Sequence, residues 1–128
     1  MAKVLIVDDN RAFLELNAAF LSLDGHQVLT TDSAQETLDL VRKQRPDIVL
    51  LDIVMPGMDG YQVCREIKED PATRDTLVVM MTALAGSSRT HSREAGADAY
   101  IAKPVPSREL RETIQALIKR QQAEREEG

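Results

Sequence analysis

Short apolar runs punctuate the chain, and the strongest of them end at polar residues. Residues 4–7, Val-Leu-Ile-Val, are followed by Asp8, Asp9 and Asn10. Residues 48–51, Ile-Val-Leu-Leu, run into Asp52, and the apolar residues 77–81 run into Thr82. Runs of this kind leave no face for water, so they predict parallel strands covered by helices on both sides. Residues 27–31 alternate only in part, and residues 99–102 are short. They predict two weaker strands at the sheet edges.

Between the strands the period lengthens. Residues 11–23 predict a helix with Phe13, Leu16, Phe20 and Leu23 on its inner face, stopped by Asp24-Gly25. Ser33-Ala34-Gln35-Glu36 reads as a capping box, opening a helix to about residue 44 with Ala34, Leu38 and Val41 inward. A third helix is predicted over residues 59–69, with Val63, Cys64 and Ile67 inward and Asp70-Pro71 as its breaker. Residues 87–95 carry no apolar stripe, so the fourth helix is expected to be short, irregular or mobile. The last helix starts near Pro106 or Ser107 and turns Leu110, Ile114, Leu117 and Ile118 inward. Residues 121–128 are polar and are expected to fray.

Repeated strand-helix alternation predicts an α/β domain: a doubly wound, five-stranded parallel sheet in the order 2-1-3-4-5, with helices on both faces. The uniformly apolar strands one, three and four take the centre. Ligands bind such sheets at the carboxyl ends of the strands, where the order reverses. Asp8, Asp9, Asp52, Thr82 and Lys103 all fall on that rim.

At 128 residues the chain makes one domain with a real core, taken as residues 1–122 with a charged tail at 123–128. Apolar residues are 43% of the total, which argues against disorder. The net charge of −5 argues against nucleic-acid binding. No apolar stretch has membrane-spanning length, and the first residues lack a signal-peptide pattern. The single Cys64 cannot form an internal disulfide, so a reducing, cytoplasmic location is the simplest expectation.

Three carboxylates on one rim repel each other and call for a proton or a cation. An all-oxygen cluster without His or Cys suits Mg²⁺. Helix capping would account for one of Asp8 and Asp9, but not for both, nor for Asp52. Lys103, a surface lysine by default, stands on this rim near the acidic cluster, where its compact ammonium suits a phosphoryl group. Thr82 is a strand-end hydroxyl that could donate to a phosphoryl oxygen. Tyr100 on an edge strand is a packing residue by propensity. His26 and His91 have no metal-ligand partners at useful spacing, and Cys64 reads as core.

These residues resemble a known family. Asp8-Asp9, Asp52 with Met55-Pro56-Gly57-Met58-Asp59-Gly60, Thr82-Ala83, Ala95-Gly96-Ala97 and Lys103-Pro104 are similar to the CheY-like receiver domain of two-component response regulators, over roughly residues 3–120. The resemblance implies a flavodoxin-like fold. It implies that Asp52 accepts a phosphoryl group from a sensor histidine kinase or phosphotransfer protein. It implies that Asp9, Asp52 and the Val54 backbone carbonyl bind Mg²⁺, with Asp8 acting through water. Thr82 and Lys103 would contact the phosphoryl group, and Tyr100 would be the aromatic that turns inward on activation. Lys103-Pro104 matches a cis peptide of the family. The helix 4–strand 5–helix 5 surface would bind a downstream protein. Such a domain is a signalling module, not a conventional enzyme, although it catalyses its own Mg²⁺-dependent transfer and slow dephosphorylation. Val54 and Leu84, two residues beyond Asp52 and Thr82, are apolar and should protect the phosphoryl group from in-line water. One alternative is a receiver fragment of a larger regulator. A weaker one is a Mg²⁺-dependent aspartyl-phosphate phosphatase, whose Asp-x-Asp pair would need an acid where Val54 stands. A flavodoxin is weaker still, because Asp8 and Asp9 would repel the flavin phosphate.

Overall fold

The computed structural model describes residues 2–83 and 88–127. Its centre is a parallel sheet of β1 (Lys3–Val7), β2 (Gln27–Thr31), β3 (Ile48–Asp52), β4 (Leu77–Thr82) and β5 (Ala99–Ala102), in the order β2-β1-β3-β4-β5. The expected order and edges are therefore present. Val4 pairs with Ile48, Ile48 with Leu77 and Val79 with Ala99, all in parallel. β3 and β4 are buried along their whole length, whereas β2 and β5 expose residues. Thr82 is the last residue of β4, the strand-end position expected for it.

Side chains alternate between two cores, as a pleated strand requires. Val4, Ile6, Ile48 and Leu50 face α1 (Arg11–Leu23) and α5 (Ser107–Glu127), where they meet Leu21, Leu110 and Ile114. Leu5, Val7, Val49 and Leu51 face α2 (Ala34–Gln44) and α3 (Gly60–Glu69), where they meet Val41, Val63, Cys64 and Ile67.

The inner face of α1 differs from the expected one. Leu14, Asn17 and Leu21 are buried, while Leu16 is 62% and Leu23 85% exposed. The series 13-16-20 and 14-17-21 have the same spacing but are offset by one residue, about 100° around the helix. The polar Asn17 hid the true stripe. It tolerates burial partly because its Nδ2 donates to the Phe13 carbonyl at 2.9 Å. Phe13 and Phe20 flank this face and are half-buried.

The capping box of α2 is formed on one side only. Ser33 Oγ accepts from the Glu36 N–H at 3.3 Å. The Glu36 carboxylate instead accepts from the Thr31 hydroxyl at 2.9 Å, and that hydroxyl oxygen accepts the Ser33 N–H at 3.0 Å. Val41 is buried and Leu38 half-buried, as expected. The Ala34 side chain lies outside the described positions.

The fourth helix, α4 (Ser88–Glu94), spans seven residues. The expected starting residue, Ser87, lies outside the described residues. α5 has the expected inner residues but continues as helix through position 122 to Glu127, so the expected boundary there falls inside a helix. Gln121 ties it back by donating to the Asp75 carbonyl at 2.8 Å. Among the described residues, no helix is long and apolar enough to cross a membrane.

Candidate phosphoryl-acceptor site

Three loops meet at the carboxyl edge of the sheet. Asp8 follows β1 and is fully buried; its N–H donates to the Thr31 carbonyl at 3.2 Å. Its Oδ1 accepts the Asn10 N–H at 2.9 Å, and Asn10 Oδ1 in turn caps α1 by accepting the Phe13 N–H at 3.1 Å. Asp9 is exposed beside it. Asp52 ends β3 and is 6% exposed. Its Oδ1 accepts the Val54 N–H at 3.1 Å. One carboxylate oxygen each from Asp8, Asp9 and Asp52 lie within 4.8 Å of one another.

Beyond Asp52 the chain forms a two-residue antiparallel ribbon, pairing Val54 with Asp59 and Met55 with Met58. Pro56-Gly57 makes its turn, and Gly57 has φ +72°, a conformation suited to glycine. Gly60 then opens α3 directly against the loop that follows Asp52. A Cβ there would lie 2.7 Å from Ile53 Cα, 3.0 Å from the Ile53 carbonyl oxygen and 3.2 Å from that of Asp52. Gly60 is part of the motif Met55–Gly60, but a close backbone approach leaves no mark in a sequence beyond the glycine itself.

Lys103 comes from the far side of the sheet. Its N–H donates to the Thr82 carbonyl at 2.8 Å, and the Lys103-Pro104 peptide is cis, as expected. Its ammonium bonds Asp8 Oδ2 and lies 3.3 Å from Asp52 Oδ2. Burial pushes the Asp52 carboxyl above its ordinary value; the Val54 N–H and Lys103 oppose this, and the Asp8 charge adds to it. Burial lowers the Lys103 ammonium, but the Asp8 hydrogen bond and the charges of Asp8 and Asp52 outweigh it, so its pKa is raised.

Asp52, Val54, Thr82, Ala83 and Lys103 line a cavity of about 190 Å³. Thr82 is buried and the Val54 side chain is 53% exposed at the mouth. Leu84, expected to shield the same approach, lies outside the described residues. A larger groove of about 340 Å³ lies beside α1, between Arg11 and Glu36, and contains none of the residues singled out on the rim. Tyr100 is half-buried on β5, away from the cavity, in a groove with Ser92 and Arg93. All five chemical residues expected on the rim are therefore there. Phe13, expected only as an inner-face residue of α1, places its ring under the Lys103 ammonium.

A family model described as the response regulator receiver domain matches residues 4–115. The chain belongs to that family. Among curated relatives, this receiver is 41% identical over 119 residues to "Probable transcriptional regulator ycf27" of Guillardia theta, covering 92% of the chain and 46% of the relative. It is 42% identical over 105 residues to "Response regulator PleD" of Caulobacter vibrioides, covering 81% of the chain and 23% of the relative. The receiver thus spans about a quarter to a half of the length of these relatives. Among solved structures it resembles a CheY-like receiver domain protein from Methanospirillum hungatei, with TM-score 0.90, 31% identity and coverage of 97% and 98% of the two chains. It also resembles chemotaxis response regulator CheY4 of Vibrio cholerae, with TM-score 0.84, 27% identity and coverage of 91% and 98%. The flavodoxin-like architecture is therefore that of this family.

Receiver domains bind Mg²⁺ through an acidic pocket, and this one has such an aspartate cluster. The donor set fits that ion: carboxylate oxygens at close range, one of them on the exposed Asp9, with no nitrogen or sulfur ligand among them.

Proposed function

We propose that the chain is a phosphorylation-controlled signalling module in which Asp52 accepts a phosphoryl group from a phosphohistidine on a sensor kinase or phosphotransfer protein. The observation that carries this reading is the placement of Asp52 at the floor of a small cavity, paired with Lys103 and adjoining Asp8 and Asp9.

Transfer forms a P–O bond to an Asp52 carboxylate oxygen. The P–N bond of the donor breaks, and its electron pair returns to the imidazole. The Val54 N–H and the Lys103 ammonium favour the ionised carboxylate that this attack requires, against the effect of burial. Lys103 can then turn from Asp52 to the transferred group, and the Thr82 hydroxyl can donate to one of its oxygens. Mg²⁺, when bound by Asp9, Asp52 and the Val54 carbonyl with Asp8 acting through water, supplies positive charge against the phosphoryl oxygens. Ala83 at the mouth is small enough to admit the donor imidazole. The apolar Val54 side chain beside it cannot orient a water by hydrogen bonding, which favours a slow loss of the group.

Signalling to a downstream protein would run through the α4–β5–α5 surface, with Tyr100 as the switch residue. The greater length of the curated relatives makes a receiver joined to an output domain the second form of this reading. A cytoplasmic location suits a domain served by cytoplasmic kinase domains. The test is intact mass after incubation with acetyl phosphate and Mg²⁺. One added phosphoryl group is expected in the parent and none in Asp52→Ala; full addition in that variant refutes the assignment.

A further inference from the structure

Lys103 is held from a third direction. Its ammonium lies 4.5 Å from the centroid of the Phe13 ring while it bonds Asp8 and approaches Asp52. Phe13 is itself fixed at both ends of its peptide unit. Its N–H donates to Asn10 Oδ1 at 3.1 Å, and its carbonyl accepts from Asn17 Nδ2 at 2.9 Å. The Asn10 N–H donates to Asp8 Oδ1 at 2.9 Å. Asp8, Asn10, Phe13 and Lys103 therefore close a circuit, with the aromatic ring and the buried carboxylate on the same ammonium.

We propose that Phe13 is a positioning residue for phosphoryl transfer: its ring holds the Lys103 ammonium beside Asp52 while the charges around that ammonium change. This rests on the reading of Asp52 as the acceptor. When acetyl phosphate is the donor, its P–O bond breaks, acetate leaves with the electron pair, and the new P–O bond forms on Asp52. Lys103 keeps its protons and Phe13 exchanges nothing. Asp52 as an acyl phosphate no longer carries the carboxylate charge that attracted Lys103. A lysine has a long flexible stem, and the phosphoryl oxygens must recruit the ammonium at that moment. The ring quadrupole attracts a cation whatever the state of the carboxylates, so it keeps the ammonium preorganised. An aliphatic residue would fill the space but supply no such attraction.

The test compares the full chain with Phe13→Leu and Phe13→Tyr. Phosphorylation by acetyl phosphate with Mg²⁺ is followed by intact mass, after circular dichroism melts establish that each protein is folded at the assay temperature. Phe13→Leu should slow phosphorylation by about two- to tenfold, the range such a contact supports, and Phe13→Tyr should restore most of the rate. The Lys103 ε-methylene protons should show an upfield ring-current shift in the parent and in Phe13→Tyr, lost in Phe13→Leu. A purely packing role would predict equal phosphorylation rates in the two variants. Phe13→Leu as fast as the parent, Phe13→Tyr as slow as Phe13→Leu, or an unshifted ε-methylene in the parent overturns the inference. A parent that takes no phosphoryl group overturns the acceptor assignment, and this inference with it; a phosphorylated parent matched by Phe13→Leu overturns the inference alone.

Discussion

Gly60→Ala tests whether helix packing against the acceptor loop fixes Asp52. The added Cβ would sit 2.7 Å from Ile53 Cα, about 0.7 Å short of ordinary van der Waals contact. The obstructing atoms are backbone, so no side chain can rotate away. Either the first turn of α3 or the strand end carrying Asp52 must move. Overpacking of this kind costs about 1–3 kcal/mol. Shifting the loop also strains the Gly60 N–H to Ile53 carbonyl hydrogen bond at 3.3 Å, worth about 1 kcal/mol. Against this, replacing glycine lowers unfolded-state entropy by an equivalent of about 0.4–1 kcal/mol. The net expectation is a loss of about 1–3 kcal/mol. With a urea dependence of about 1–3 kcal/mol/M, the midpoint should fall by about 1 M. Movement of Asp52 relative to Asp8 and Lys103 should also slow phosphorylation by about tenfold or more, since 1 Å of misplacement can cost about 100-fold. Urea unfolding and intact-mass kinetics on the same preparations check both effects. A Gly60→Ala protein with the parent midpoint and rate would refute this account of the loop.

Because burial raises the Asp52 pKa, this group favours folding below its ordinary value of 3.8 and loses that contribution as pH rises through the folded value. Asp52→Asn should therefore be more stable than the parent at neutral pH without Mg²⁺, with the gap closing in acid; equal melting temperatures at pH 8 would contradict this. Saturating Mg²⁺, at about 100 times its dissociation constant, should stabilise the parent by about 2.7 kcal/mol. Chelator should remove that gain, and Asp9→Ala should lack most of it; an undiminished gain in Asp9→Ala would exclude Asp9 as a ligand. Val54→Asn places a hydrogen-bonding group at the cavity mouth, and one bond to an in-line water, at about 1 kcal/mol, corresponds to about fivefold faster decay of the phosphorylated protein. An unchanged half-life would remove Val54 from the control of lifetime.

Strand order was legible because the central strands are continuous apolar runs and the edges are not. The rim was legible because each strand ends at a polar residue, and topology alone brings Asp8, Asp52, Thr82 and Lys103 together. The face of α1 was not. A buried asparagine sits in the true stripe, and Leu16 and Leu23 extend a competing one into solvent. The half-formed capping box shows a similar limit: Glu36 had a choice of partners, and the nearby Thr31 hydroxyl took it. Phe13 reaches Lys103 across 90 residues of sequence, and nothing in the spacing of either residue announces that contact. Gly60 needed the position of Ile53 before its absence of a side chain meant anything.

The central claim is that Asp52 is the residue that carries the phosphoryl group. Borohydride reduces an aspartyl phosphate to homoserine, which tandem mass spectrometry can locate in a digest. After phosphorylation of the full chain with acetyl phosphate and Mg²⁺, the account predicts homoserine at position 52 and at no other aspartate. Homoserine at position 8 or 9, or a phosphorylated protein with an unaltered Asp52, would contradict it.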